Sequence, residues 1–163
     1  MSADGHAHSY TTTLTWTGNT GSGTSDYRAY SRDHVLTGPG KPEILASADT
    51  PFRGDATRWN PEDMLVASLS ACHLLWYLHM CARAGIVVSA YTDNASGTMV
   101  MDPTGRGQFT EVTLRPQVTI TDAARIADAT ALHAKAHELC FIARSVNFPV
   151  AHEPTVTADT AVA

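Results

Sequence analysis

Hydrophobic and polar positions alternate in short runs near both ends of this chain and take up a helical spacing in two stretches between them. Residues 10–16 (Tyr-Thr-Thr-Thr-Leu-Thr-Trp) are alternating and β-branched, which predicts a strand. Residues 17–23 are rich in Gly, Asn, Ser and Thr and predict a loop that visits positive φ. Residues 28–32 and 42–46 predict two more strands, with Gly38-Pro39-Gly40-Lys41 turning between them. Residues 86–93 and 97–101 read as strands, Gly105-Arg106-Gly107 as a hairpin turn, and 109–120 as one long alternating strand. A last strand is expected after Asn147, where Val150 and Val156 alternate with Thr.

The two helical stretches are better marked. Asn60-Pro61-Glu62-Asp63 combines an N-cap, a proline at the first helical position and acids facing the positive end of the helix dipole. Leu65, Leu69, Cys72, Trp76 and Met80 then recur at three- and four-residue intervals until Gly85, predicting a helix over 61–84. Leu74, Leu75 and Leu78 form a second apolar face on it. A helix apolar nearly all round is hard to cover within one small domain, so a partner subunit is expected. Thr121-Asp122 caps a second helix running through Ile126, Leu132 and Leu139. The order predicts an α+β fold: antiparallel sheets with a long central helix, helices on one face. Residues 1–9 read as a disordered tail and 10–158 as a single domain.

Composition narrows the function. The chain has 163 residues, 44% hydrophobic and 17% charged, which suits one globular domain and argues against disorder. A net charge of -5 without a basic stripe argues against nucleic acid and against an anionic membrane surface. The first residues lack the cationic and apolar regions of an export signal, and no run of eighteen apolar residues suggests a span. Three cysteines make no disulfide framework and fit a reducing compartment, so a cytoplasmic location is expected.

Those cysteines carry the candidate chemistry. Cys72 lies mid-helix in Leu69-Ser70-Ala71-Cys72-His73, where a buried core thiol is the alternative to chemistry, and Cys81 has no distinctive neighbour and reads as core. Cys140 closes the second helix. His133, His137 and Cys140 fall at i, i+4 and i+7 and share one face. Imidazolium beside a thiol would raise its thiolate fraction. The same trio offers metal-ligating donors, though without a fourth ligand, and the same spacing also describes a polar stripe facing solvent.

Asn60-Pro61-Glu62-Asp63-Met64-Leu65 followed by Ala67-Ser68-Leu69-Ser70-Ala71-Cys72 resembles the signature of the OsmC/Ohr proteins (osmotically inducible protein C and organic hydroperoxide resistance protein). Ala136-His137-Glu138-Leu139-Cys140 resembles their second-cysteine helix, with Phe141 where the family commonly has Pro. Gly85-Ile86 and the strand over 112–120 fall in the family's order, and the resemblance covers about 10–158. It implies an OsmC-like fold, an intertwined homodimer and a two-cysteine peroxidase acting on organic hydroperoxides, with no cofactor. Cys72 would be the attacking thiolate, Cys140 the resolving thiol, and a dithiol or lipoyl-type compound the reductant. Glu62 matches a carboxylate that pairs with an arginine in an early Gly-Arg-x-Gly turn. The segment aligned with that turn, Ser25-Asp26-Tyr27-Arg28, puts Ser25 at the arginine's position. Arg28 is the first substitute, with Arg32 and Arg53 behind it.

Glu62 and Cys72 stand ten positions apart, about 15 Å along a helix axis. Acting together, they would have to come from different chains. His73 and His79 flank the cysteine without a role in the family's turnover. The alternative is a non-catalytic member of the same fold that binds a metal or ligand through His133, His137, Cys140 and His73.

Overall fold

The computed structural model describes residues 5–159 in two compact units, divided after Met64. Residues 1–4 of the expected tail lie outside the described residues, while 5–9 are exposed and without regular structure. The first unit is a three-stranded antiparallel sheet of β1 (Thr13–Trp16), β2 (His34–Thr37) and β3 (Ile44–Ala46). Trp16 pairs with His34, and His34 with Ala46.

One prediction fails in this unit. Residues 28–32 form no strand; only Tyr30 makes an isolated bridge, to Asn19. The segment folds back as a loop whose own side chains satisfy its carbonyls: the Arg32 guanidinium donates to the Tyr30 carbonyl at 2.6 Å and the Tyr27 carbonyl at 2.8 Å. Gly18 lets this loop close. Its backbone faces Ser31, whose N–H donates to the Gly18 carbonyl at 3.0 Å. A Cβ on Gly18 would lie 1.9 Å from the Ser31 oxygen, so no side chain fits.

The second unit carries the long helix α1 (Pro61–Arg83), whose first turn belongs to the first unit. Its start behaves as read. The Asn60 side chain accepts from the Asp63 N–H at 2.7 Å and donates to the Asp63 carboxylate at 2.9 Å. Gly85 ends the run with φ +68°. A single stripe of α1 is buried: Leu69, His73, Tyr77 and Cys81, one per turn. Leu75 and Leu78 on the other face are exposed.

The long strand expected over 109–120 is two strands, β6 (Gly107–Leu114) and β7 (Pro116–Ile120), in different sheets. Pro116 has no N–H to continue the ladder. The facing arm breaks likewise between β4 (Val88–Asp93) and β5 (Ser96–Met101), so one bent hairpin feeds two sheets. Asp93 holds the corner: one carboxylate oxygen accepts from the Arg115 N–H at 2.6 Å and the other from the Ser70 hydroxyl of α1 at 2.5 Å.

The tail breaks a third time, across Glu153-Pro154. The single last strand expected there is β8 (Val150–His152) and β9 (Thr155–Ala158), lying parallel to β6 and β7 respectively. The sheets are therefore β4-β7-β9 and β5-β6-β8, each the expected antiparallel pair with a third strand added parallel to it. The helix capped by Asp122 opens with a 3-10 turn, Ala123–Arg125, before α2 (Ile126–Leu139).

Two cores follow the two sheets. Tyr77, Cys81, Ile86, Val118, Ile120, Ala129 and Ala136 pack under one, and Leu69, Phe109, Val112 and Leu114 under the other. By length and composition α1 is apolar enough to cross a membrane, but its buried stripe is spent on these cores. Gly18→Ala should destabilise the protein by about 1–3 kcal/mol, the range for forcing extra atoms into closed packing. Urea unfolding of the variant beside wild type measures it, and an unchanged midpoint would show that the loop opens freely.

Candidate functional site

Cys72 sits one turn beyond Leu69 on α1, beside the buried stripe, and its side chain is half-buried. It lines a cavity of about 290 Å³ with Leu75, Trp76, His79 and Phe141. Trp76 meets the Phe141 ring edge-on at 5.4 Å between centroids and the His79 ring at 5.7 Å. The lining is apolar apart from the thiol and His79. Leu75 and Phe141 keep 67% and 66% of their surface exposed, so the cavity opens outward between large apolar side chains.

Cys140 caps the C-terminus of α2 in an extended conformation and is buried. Its sulfur accepts from the Ala143 N–H at 3.4 Å and neighbours the Cys72 thiol. Burial pushes the Cys140 thiol up to about 11, the Ala143 N–H opposes this, and the neighbouring Cys72 adds to it. The structure thus brings together two free thiols from distant parts of the sequence. Cys81 is buried elsewhere, near Tyr77, and its thiol is also raised by burial.

The face of His133, His137 and Cys140 does not point to solvent and does not gather a metal site. Each member turns to a different neighbour. His133 Nδ1 lies 3.0 Å from His73 Nε2, the His137 ring lies 5.1 Å from that of His152 on β8, and Cys140 meets Cys72. Among the described residues no three of His, Cys, Asp and Glu converge as a metal would require. The stripe is instead the side of α2 that packs onto α1 and β8. His73 and His133 have no exposed surface, and His133 stacks on Tyr77 at 3.8 Å.

Burial holds the imidazole of His73 down to about 4 and that of His133 down to about 3. Around His73, the charges of His152 and His137 push the same way and Asp93 opposes them. One hydrogen bond between two rings leaves His73 Nδ1 and His133 Nε2 buried without partners. Buried unsatisfied groups of this kind destabilise a fold.

The remaining predicted residues lie in the first unit. Glu62 is half-buried and lines a cavity of about 460 Å³ with Arg32, Trp16, Tyr30, His34 and Phe52 among others. The Arg32 guanidinium lies 4.3 Å from the Tyr27 ring centroid and 4.1 Å from that of Tyr30. Two aromatic faces thus fix a planar cation that the loop carbonyls already hold. Arg28 is exposed at the loop tip, and Arg53 is exposed with a left-handed φ of +64°. Neither lines this cavity.

Three contributors escaped sequence reading. His152 lies in a short strand with no motif around it, and Asp93 and Ser70 meet only through the corner of the fold. The family match of Phe141 marked it as a departure without indicating that it walls the cavity.

Comparison with known proteins agrees with the fold. The family model described as OsmC-like protein matches residues 54–155. An OsmC-like protein of unknown function from Vibrio cholerae O1 biovar eltor is similar at 33% identity, over 91% of this chain and 100% of its own, with a TM-score of 0.81. Organic hydroperoxide resistance proteins from Elizabethkingia anophelis and Legionella pneumophila are similar at 20% and 18% identity, each over 94% of this chain. They are covered over 100% and 99% of their own lengths, with TM-scores of 0.63 and 0.66, and show a shared fold. No curated protein matches.

The buried histidines make stability pH-dependent. The unfolded chain takes up these protons near 6.5, the folded chain only near 4 and 3. Below 6.5 the unfolded state therefore binds more protons, and stability drops as pH falls until the folded values are reached; above 6.5 protonation adds no cost. The urea midpoint should be level above pH 7 and fall between about 6.5 and 4. Replacing both His73 and His133 by Gln should flatten that slope; an unchanged slope would place the acid sensitivity elsewhere.

Proposed function

Since the chain belongs to the OsmC-like protein family, we propose that it is a thiol-dependent peroxidase that reduces organic hydroperoxides with Cys72 and Cys140. The observation that carries this reading is a half-exposed Cys72 thiol in an apolar cavity with a second, buried thiol against it. Family relatives named for organic hydroperoxide resistance support the substrate class.

The Cys72 thiolate attacks the distal peroxide oxygen. The O–O bond breaks, the alkoxide leaves as alcohol after taking a proton, and Cys72 becomes a sulfenic acid. The Cys140 sulfur then attacks the sulfenate sulfur, and hydroxide departs with the Cys140 proton as water. Burial suits Cys140 to this order, because it remains a thiol until the sulfenate forms. An external dithiol, of lipoyl or similar type, returns both cysteines by exchange and is itself oxidised to a disulfide. No metal or organic cofactor enters these steps. Leu75, Trp76 and Phe141 favour a substrate with an apolar body over hydrogen peroxide, because water must leave the cavity on binding. Such chemistry belongs in a reducing compartment such as the cytoplasm.

Activation of Cys72 needs a cation and a carboxylate. Arg32 serves this reading better than Arg28, since it is clamped between Tyr27 and Tyr30 and shares a cavity with Glu62. Glu62 and Cys72 occupy one continuous helix, about 15 Å apart along its axis, and cannot meet within a chain. Arg32 and Glu62 therefore act on the Cys72 of a partner in a homodimer, whose contact would also cover the exposed Leu75 and Leu78.

Cys72→Ser should abolish consumption of cumene hydroperoxide with dihydrolipoamide. Cys140→Ser should stop after one turnover with Cys72 as sulfenate, and sustained cycling there would rule out the resolving role. Mixed dimers test the shared site. Cys72→Ser and Arg32→Ala chains, each inactive alone, should recover roughly a quarter of wild-type activity when randomly mixed, one intact site in half of the dimers. No recovery would place Arg32 in its own chain's site or outside the chemistry.

A further inference from the structure

The side of α2 that packs onto α1 carries imidazoles where an apolar seam would be more stable. His133 meets His73 of α1 at 3.0 Å, His137 meets His152 of β8, and His152 meets His73 at 5.6 Å between ring centroids. The four rings form a chain of contacts, stacked between His133 and His73 and tilted from His73 to His152 and from His152 to His137, running from the buried pair to the half-buried one. It passes through His73, next to Cys72, and ends at His137, one turn before Cys140. The two thiols meet at the end of the same helix face.

Two nitrogens of the central pair are buried without partners, so this seam costs stability relative to Leu or Phe packing. What an imidazole offers that Leu or Phe does not is a directional hydrogen bond and a proton. The groups facing His73 are His133 and His137 from α2, His152 from β8 and Asp93 from β4. His133 faces His73 and Tyr77 of α1 and His152 of β8. Only Asp93 could balance a cation, and its oxygens are already taken by Ser70 and the Arg115 N–H. A protonated pair therefore has no counter-charge of its own, and water can reach it only if α2 moves off α1.

We propose that His133, bridged to His73, is a positioning residue: it holds the Cys140 turn of α2 against Cys72 while the pair is neutral, and protonation of the pair separates the thiols. The dithiol–disulfide couple then works at neutral pH and uncouples in acid, where Cys72 sulfenate would form but persist unresolved. This inference rests on the two-cysteine reading above, yet it concerns the geometry of the thiols and not the peroxide.

The test is the equilibrium between the full-length protein and glutathione redox buffers from pH 4 to 7.5, read as the fraction of Cys72–Cys140 disulfide. One disulfide forms in the protein as one glutathione disulfide becomes two glutathione thiols, so the ratio gives an effective thiol concentration without any hydroperoxide. Ionisation of the cysteines themselves is common to wild type and variants, so their ratio isolates the histidines. The effective concentration in wild type should fall at least tenfold relative to His133→Phe between pH 7 and pH 4. His73→Gln, neutral and still able to hydrogen-bond, should behave like His133→Phe, and near-ultraviolet circular dichroism identifies any variant that does not fold. A wild-type-to-variant ratio that stays level with pH for both variants overturns the proposal. Loss of peroxide turnover in wild type with the ratio still falling would sink the peroxidase reading alone.

Discussion

The burial of one stripe of α1 is the constraint on which the rest of the second unit depends. Leu69, His73, Tyr77 and Cys81 occur once per turn, and together they tie the helix to both sheets and to α2. Leu69 packs into the core under β5-β6-β8, Tyr77 and Cys81 into the core under β4-β7-β9, and His73 hydrogen-bonds to α2. With that stripe turned inward, Cys72 must lie at its edge, where the thiol reaches both the outer cavity and the end of α2. Ser70, anchored to Asp93 at the sheet corner, fixes the same helix two residues earlier. A slip of one residue along α1 would bury Cys72 or turn it away from Cys140.

Local sequence signals read well where the structure is local. Asn60-Pro61 at the helix start and Gly85 at its end act through backbone groups a few residues away, and both elements appear within a residue or so of the expected bounds. The sheets were less legible, because strand breaks at Leu114/Pro116 and at Glu153-Pro154 depend on which partner strand each arm meets. Alternation continues through Arg115, so periodicity alone cannot show the change of sheet. Pro116 was the available cue.

The same division runs through the candidate site. Cys72 and Cys140 were visible as residues in motifs, but their meeting depends on the packing of α2 across α1. The i, i+4, i+7 face of His133, His137 and Cys140 was correctly seen as one face; its direction was not. An imidazole stripe looks polar by composition, yet neutral rings stacked on Tyr77 and on each other pack as a core seam. Arg32 was named from the sequence only behind Arg28, for a related reason. What sets it apart from Arg28 is a loop that folds Tyr27 and Tyr30 onto the guanidinium, a contact no strand pattern predicts. Phe141, just past the end of α2, becomes a wall of the cavity beside Cys72.

The proposed peroxidase cycle turns on one covalent event between the Cys72 and Cys140 sulfurs. The most direct measurement is peptide mapping by mass spectrometry after the reduced protein meets one equivalent of an organic hydroperoxide. A single new linkage is expected, Cys72 to Cys140, with Cys81 recovered as a free thiol. Linkage through Cys81, or no linkage while the peroxide is consumed, would contradict it.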